Sequence, residues 1–123
     1  MAPEGLRDVA AALPLAEKAV RLAPKSAHYL NTLGVAYYRA GRYREAVEAL
    51  RANVETQEDW ALAHDLYFLA MSYHRLGEAA RARDYYDWAI RWAAAQRDLK
   101  PLHREELAEF RAEAERLFGS QKP

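Results

Sequence analysis

Apolar residues recur along the chain at spacings of three and four, the period of one face of an α-helix. The pattern predicts five or six helices separated by short polar or glycine-containing breaks. The predicted helical segments cover residues 5–23, 27–40, 43–56, 60–76, 79–95 and 102–118. We therefore expect an all-α fold.

The breaks between these segments carry helix start and stop signals. Pro14 stands inside the first segment and leaves two interpretations: a helix that begins just before it, or a longer helix that kinks there. Ser26 is predicted to cap the second helix and Asp59 the fourth. Gly41 and Gly77 fit the position after a helix end, where positive φ is usual. The turns at these glycines are so short that the flanking helices must form antiparallel hairpins.

Two stretches of the chain can be superimposed without a gap. Residues 30–50 align with residues 66–86 at an offset of 36 residues (77 − 41). The matched pairs are Leu30/Leu66, Leu33/Leu69, Tyr37/Tyr73, Arg39/Arg75, Gly41/Gly77 and Ala46/Ala82. Such a period indicates a repeat array, in which each unit buries its apolar face only against its neighbours. Function is then expected on a surface.

The repeated unit resembles the tetratricopeptide repeat, a helix–turn–helix motif. The residues that carry the resemblance are Leu30, Leu33, Gly34, Tyr37, Ala46 and Leu50 in one unit, and Leu66, Leu69, Ala70, Tyr73, Ala82, Tyr86 and Ala89 in the next. Gly34 and Ala70 occupy the position where helices of the repeat approach closely. Leu30 and Leu66 replace the usual Trp, and the interval is slightly longer than the usual one of about 34 residues.

The resemblance implies one domain over residues 1–123, built as a right-handed stack of antiparallel helical hairpins. It divides into an N-terminal half-repeat (5–24), two repeats (27–58 and 59–95) and a C-terminal capping helix (101–118). A degenerate first unit also suggests a segment of a larger bacterial multidomain protein.

The resemblance further implies a binding surface, because the first helices of such units line a concave groove that receives a peptide or a partner helix. We call the corresponding positions the strip: His28, Asn31, Val35, Tyr38, Arg39, His64, Tyr67, Met71, His74 and Arg75. We expect Tyr38, Tyr67 and Met71 to be buried by the ligand. We expect Arg39 and Arg75 to pair with its acidic groups. A carboxylate clamp is not expected, because Val35 and Phe68 stand where its polar groups would be required.

Composition and charge narrow the classes of partner. Eighteen basic and eighteen acidic residues leave no formal net charge, so the basic footprint of a nucleic-acid-binding protein is missing. No apolar run approaches the roughly 20 residues that span a bilayer. These features predict a protein or peptide partner, no nucleic acid, no membrane and a cytoplasmic location.

The same residues give little support for catalysis or metal binding. The chain has no cysteine, hence no thiolate nucleophile and no disulfide. Its four histidines show no i, i+3 or i, i+4 pair and no HExxH motif. Their imidazoles could instead make the groove sensitive to pH near 6.5. No phosphate-binding loop or nucleophile elbow occurs, so we expect no enzyme, no cofactor and no metal.

Two functions remain open. The first is a non-catalytic scaffold that binds a peptide or helix along the strip. The alternative is a self-assembling structural module that oligomerises through its incomplete N-terminal repeat, because about three repeats are usually needed for a stable array.

Overall fold

The computed structural model describes residues 4–55 and 60–119, and these residues form helices and connecting turns without a strand. The helices are α1 (Glu4–Leu22), α2 (Ala27–Arg39), α3 (Tyr43–Val54), α4 (Trp60–Arg75), α5 (Ala79–Ala95) and α6 (Pro101–Gly119). The all-α fold expected from the apolar spacing is confirmed. Asp59, expected to cap α4, lies outside the described residues.

Helix α1 resolves the ambiguity at Pro14. The helix is continuous from Glu4 to Leu22 with Pro14 inside it, so the interpretation that it begins just before the proline is wrong. At the start of α2, the Ser26 hydroxyl accepts a hydrogen bond from the Tyr29 amide at 3.2 Å. The capping role of Ser26 is confirmed.

The two hairpin turns are built alike. Gly41 and Gly77 both have φ of +81°, a left-handed conformation that costs glycine little. In the first turn the Gly41 amide donates to the Tyr38 carbonyl at 3.0 Å, and the Arg42 amide donates to the Tyr37 carbonyl at 2.9 Å. The second turn repeats this pattern around Gly77. This is the Schellman arrangement, which satisfies the last carbonyls of a helix.

Consecutive helices from α1 to α5 pack against one another and form a stack of hairpins. Within the stack α2 and α3 approach closely at Gly34, where an added Cβ would lie 2.5 Å from Leu50 Cγ. The expected close approach at this glycine is therefore confirmed.

Helix α6 is placed differently. Among the described residues its backbone comes close only to α4, although α5 precedes it in the chain. It lies beside α4 with its own buried face formed by Leu107, Ala114 and Leu117. As a result α4 contacts helices on several sides, and the run from Leu66 to Met71 is at most 1% exposed.

Candidate functional site

The half of the strip on α2 lies mostly at the surface. His28 and Arg39 are exposed, and Asn31 and Val35 are half-buried. Tyr38 is the exception, because it is only 5% exposed. Its ring contacts the Phe68 ring edge-on at a centroid distance of 5.6 Å. The α2 half thus offers a polar and aliphatic surface without its tyrosine.

The half of the strip on α4 is largely covered. Tyr67 is 1% exposed and Met71 is fully buried, whereas His64 and His74 are half-buried and Arg75 is exposed. Tyr38, Tyr67 and Met71, which we expect a ligand to bury, are thus already buried by the chain itself. These side chains belong to the hydrophobic core.

Two phenylalanines of α6 cover the α4 half. Phe110 lies with its ring centroid 4.6 Å from that of His64 and 5.0 Å from that of Phe68. Toward the end of α6, the ring centroid of Phe118 lies 4.9 Å from that of His74 and 5.4 Å from that of Tyr86. The order of these contacts shows that α6 runs parallel to α4. The 3–4 spacing indicated that α6 has one buried face, but it did not indicate that this face covers the strip.

A charged pair joins α6 to the α2 half of the strip. Both terminal nitrogens of Arg39 donate to the Glu113 carboxylate, one of them at 2.9 Å. The same guanidinium lies over the Phe68 ring, 5.3 Å from its centroid. The hydrogen bonds that Arg39 donates to Glu113 raise the pKa of Arg39. The acidic group expected on a ligand of Arg39 is therefore supplied here by the chain itself.

Comparison with protein families agrees with this architecture. The model of a tetratricopeptide-type repeat family, described as anaphase-promoting complex, cyclosome, subunit 3, matches residues 6–89. The chain belongs to this family. The match covers α1 to α5 apart from the end of α5, and the resemblance to the tetratricopeptide repeat is confirmed. No curated protein matches the chain.

In this repeat domain the two units are also linked by a polar contact at the strip. The Asn31 side-chain amide donates to the Asp65 carboxylate and to Nδ1 of His64, the latter at 2.9 Å. Asp65 is fully buried. A single amide of α2 therefore fixes two neighbouring polar groups of α4, a contact that simple apolar periodicity does not reveal.

Burial shifts the pKa values of strip residues, most strongly those of His64 and Tyr67. His64, enclosed by Phe68 and Phe110, has its pKa lowered to about 4 because burial disfavours the charged imidazole. Burial also raises the pKa of Tyr67 to about 12. Both groups are neutral near pH 7. The expected titration of a groove histidine near pH 6.5 does not apply to His64.

Across residues 4–55 and 60–119 no group of three or more His, Cys, Asp or Glu side chains is placed to hold a metal ion. Within the same part of the chain, no helix is both long enough and apolar enough to cross a membrane.

Proposed function

We propose that this repeat domain is a non-catalytic scaffold that binds a peptide or a helix of another protein along the strip. The family supports a role in protein–protein interaction, because tetratricopeptide-type repeats generally recognise other proteins. We infer which surface contacts the partner from the exposure of the side chains along the strip. A helical scaffold of this kind acts by presenting a fixed row of side chains to its partner.

The observation that carries the proposal is an exposed row of side chains on α2, which we call the α2 stripe. It contains three residues of the strip together with Thr32. His28, Thr32, Val35 and Arg39 follow one another at helical spacing, and each of them reaches the surface at least in part. The stripe combines an imidazole, a hydroxyl, an aliphatic side chain and a guanidinium. A partner can therefore bury apolar area there and also form directional hydrogen bonds. Arg39 at one end already binds a carboxylate of this chain.

The test compares capture of cellular proteins by two matched triple variants. One variant, His28→Ala/Thr32→Ala/Val35→Ala, removes side chains of the α2 stripe but leaves Arg39 and its contact with α6. The control, Arg44→Ala/Glu48→Ala/Arg51→Ala, removes three exposed side chains of α3. Circular dichroism and melting temperature establish that both variants are folded.

We expect wild type and the α3 control to capture the same protein from the source cell. We expect the α2 variant to retain at most a tenth of it. Equal capture by the two variants would show that the stripe is not the binding surface.

The alternative, self-assembly, is favoured by a separate observation on α1. Leu15 is 70% exposed and Leu22 is 77% exposed. Ala11, Ala12 and Leu15 lie on the same side of this helix at helical spacing, and all of them are exposed. Another copy of the chain could cover this row of apolar side chains.

A further inference from the structure

Helix α6 packs against residues of the strip. In the hairpin stack, α3 packs closely on α4 and α1 on α2, whereas the backbone of α6 comes close to α4 and not to α5. Helix α6 lies along the face of α4 that carries the strip. Its side chains reach His64, Phe68 and His74. A helix is therefore already seated where a partner helix would be expected to lie.

Three side chains of α6 make the directional contacts. Phe110 contacts the rings of His64 and Phe68 edge-on, and Phe118 contacts His74 and Tyr86. Phe110 and Phe118 are two turns apart, about 12 Å along a helix. Between them Glu113 binds Arg39 with both carboxylate oxygens.

The side chains between these anchors explain how closely α6 can approach α4. Ala114 is fully buried and Leu117 is 9% exposed. The small side chain of Ala114 lets the helix backbones approach, while Leu117 fills the space beside it. The recognised pattern is therefore aromatic, acidic three positions later, small at the next position and aromatic four positions after that.

The opposite face of α6 is suited to water. Glu105, Glu109 and Arg116 lie on this face and are all exposed. A short non-helical segment, residues 96–100, joins α6 to α5. A charged outer face and a separate connection allow α6 to leave the strip as a unit. Because α6 stays tethered to α5 by this segment, it competes with any partner at an effective concentration on the order of millimolar.

We propose that the strip binds a partner helix with the chemistry of α6, and that this partner binds by displacing α6. The proposal rests on the proposed function of the preceding section and names its ligand: an amphipathic helix with two aromatic residues eight positions apart and a carboxylate between them. Since α6 must leave first, only the molecules in which α6 is released can bind the partner. The apparent affinity of the partner is therefore lower than its affinity for the open strip.

The test uses a fluorescent peptide with the sequence of residues 101–119 as the probe and the full chain as its receptor. The opened receptor is Phe110→Ala/Phe118→Ala, which removes the two aromatic anchors of the chain's own α6. The matched control is Leu102→Ala, at a leucine of α6 that is 63% exposed. Fluorescence anisotropy measures the affinity, and circular dichroism measures the helix content of each receptor.

We expect the opened receptor to bind the peptide at least tenfold more tightly than wild type or the Leu102→Ala control. Equal affinities for the three receptors would overturn the proposal. If the stripe variant of α2 still loses its captured protein in that case, the scaffold function stands and only the assignment of the ligand is wrong.

A charge reversal tests the register and does not depend on core substitutions. Arg39→Glu alters an exposed side chain and also repels the chain's own Glu113, so it opens the strip by a second route. This receptor should prefer a peptide carrying Glu113→Arg over the natural peptide by at least tenfold. No preference between the two peptides would show that the peptide does not lie on the strip as α6 does.

Discussion

At the scale of single residues, Gly34 shows how strongly one position can constrain the packing of two helices. Alanine has a helix propensity about 1 kcal/mol better than glycine, so Gly34→Ala would stabilise an isolated α2. In the fold, however, the new Cβ would lie 2.5 Å from Cγ and 2.6 Å from Cδ2 of Leu50. Leu50 is fully buried and cannot move toward solvent.

We expect Gly34→Ala to lower the free energy of unfolding by about 1–3 kcal/mol, the usual cost of overpacking. In a Leu50→Ala background the obstructing atoms are gone, and the same substitution should be neutral or stabilising. Urea denaturation of the four chains of this cycle measures both values. An equal effect of Gly34→Ala in the two backgrounds would show that Leu50 is not the obstacle.

The free energy of unfolding should also depend on pH through His64, because the ionisation of this histidine is coupled to folding. In the folded chain Nδ1 of His64 accepts a hydrogen bond from Asn31, and the ring packs against the rings of Phe68 and Phe110. Protonation would remove that bond and place a charge against two aromatic rings. Burial accordingly lowers the pKa of His64 to about 4.

The sign of the pH effect follows from linkage. Between pH 6.5 and about 4 the unfolded chain binds a proton at this histidine and the folded chain does not, so stability falls as the pH falls. We expect a loss of about 2 kcal/mol from this group between pH 7 and pH 5. Urea denaturation at the two pH values measures the loss in wild type and in His64→Gln.

The variants separate this histidine from the other titrating groups, including the buried Asp65 carboxylate beside it. His64→Gln should lose less stability on acidification than wild type. His28→Gln, at an exposed histidine, should lose as much as wild type does. The same acid loss in all three chains would assign the pH dependence to other residues.

At the scale of helices, local signals in the sequence were sufficient to predict α2 to α5. Ser26 caps α2 and the glycines at 41 and 77 end α2 and α4, because each feature depends on neighbouring residues only. Pro14 left the length of α1 open, since a proline is compatible with either the first turn of a helix or an interior kink. The structure shows that α1 continues through Pro14.

The position of α6 could not be predicted in the same way. Its spacing of Leu107, Phe110, Ala114 and Leu117 specifies that one face is buried, but both the open end of the stack and the strip could provide an apolar surface. One signal in the partner helix was informative. Residues 66–71 of α4 are six consecutive apolar residues, and a helix that is apolar on all sides is usually covered on all sides.

The position of α6 determines which residues of the strip are accessible. The equivalence of positions in successive units predicts that its ten residues form one continuous surface. In the structure the equivalence is broken by α6, which packs on the α4 positions and leaves most of the α2 positions at least partly exposed. A tertiary contact with a helix outside the repeats therefore decides which repeat positions can meet a partner first.

At the scale of the whole molecule, the apolar surface is distributed unevenly over the stack. The α4 side is closed by α6, while α1 at the other side exposes Leu15 and Leu22. Isolated exposed leucines are normal on a protein surface. On α1, however, they lie on one helix with the exposed Ala11 and Ala12, so the apolar area is concentrated.

Self-association through α1 would cover this area, and substitution of its leucines tests the idea. We expect the mass of wild type measured by light scattering to rise with protein concentration. Leu15→Glu/Leu22→Glu should stay monomeric, because two carboxylates would have to be desolvated in the same contact. Leu102→Glu places a charge on a leucine of α6 that is 63% exposed and should associate as wild type does. A wild type that is monomeric at every concentration would exclude the self-assembling module, and association of the α1 variant would move the contact elsewhere on the molecule.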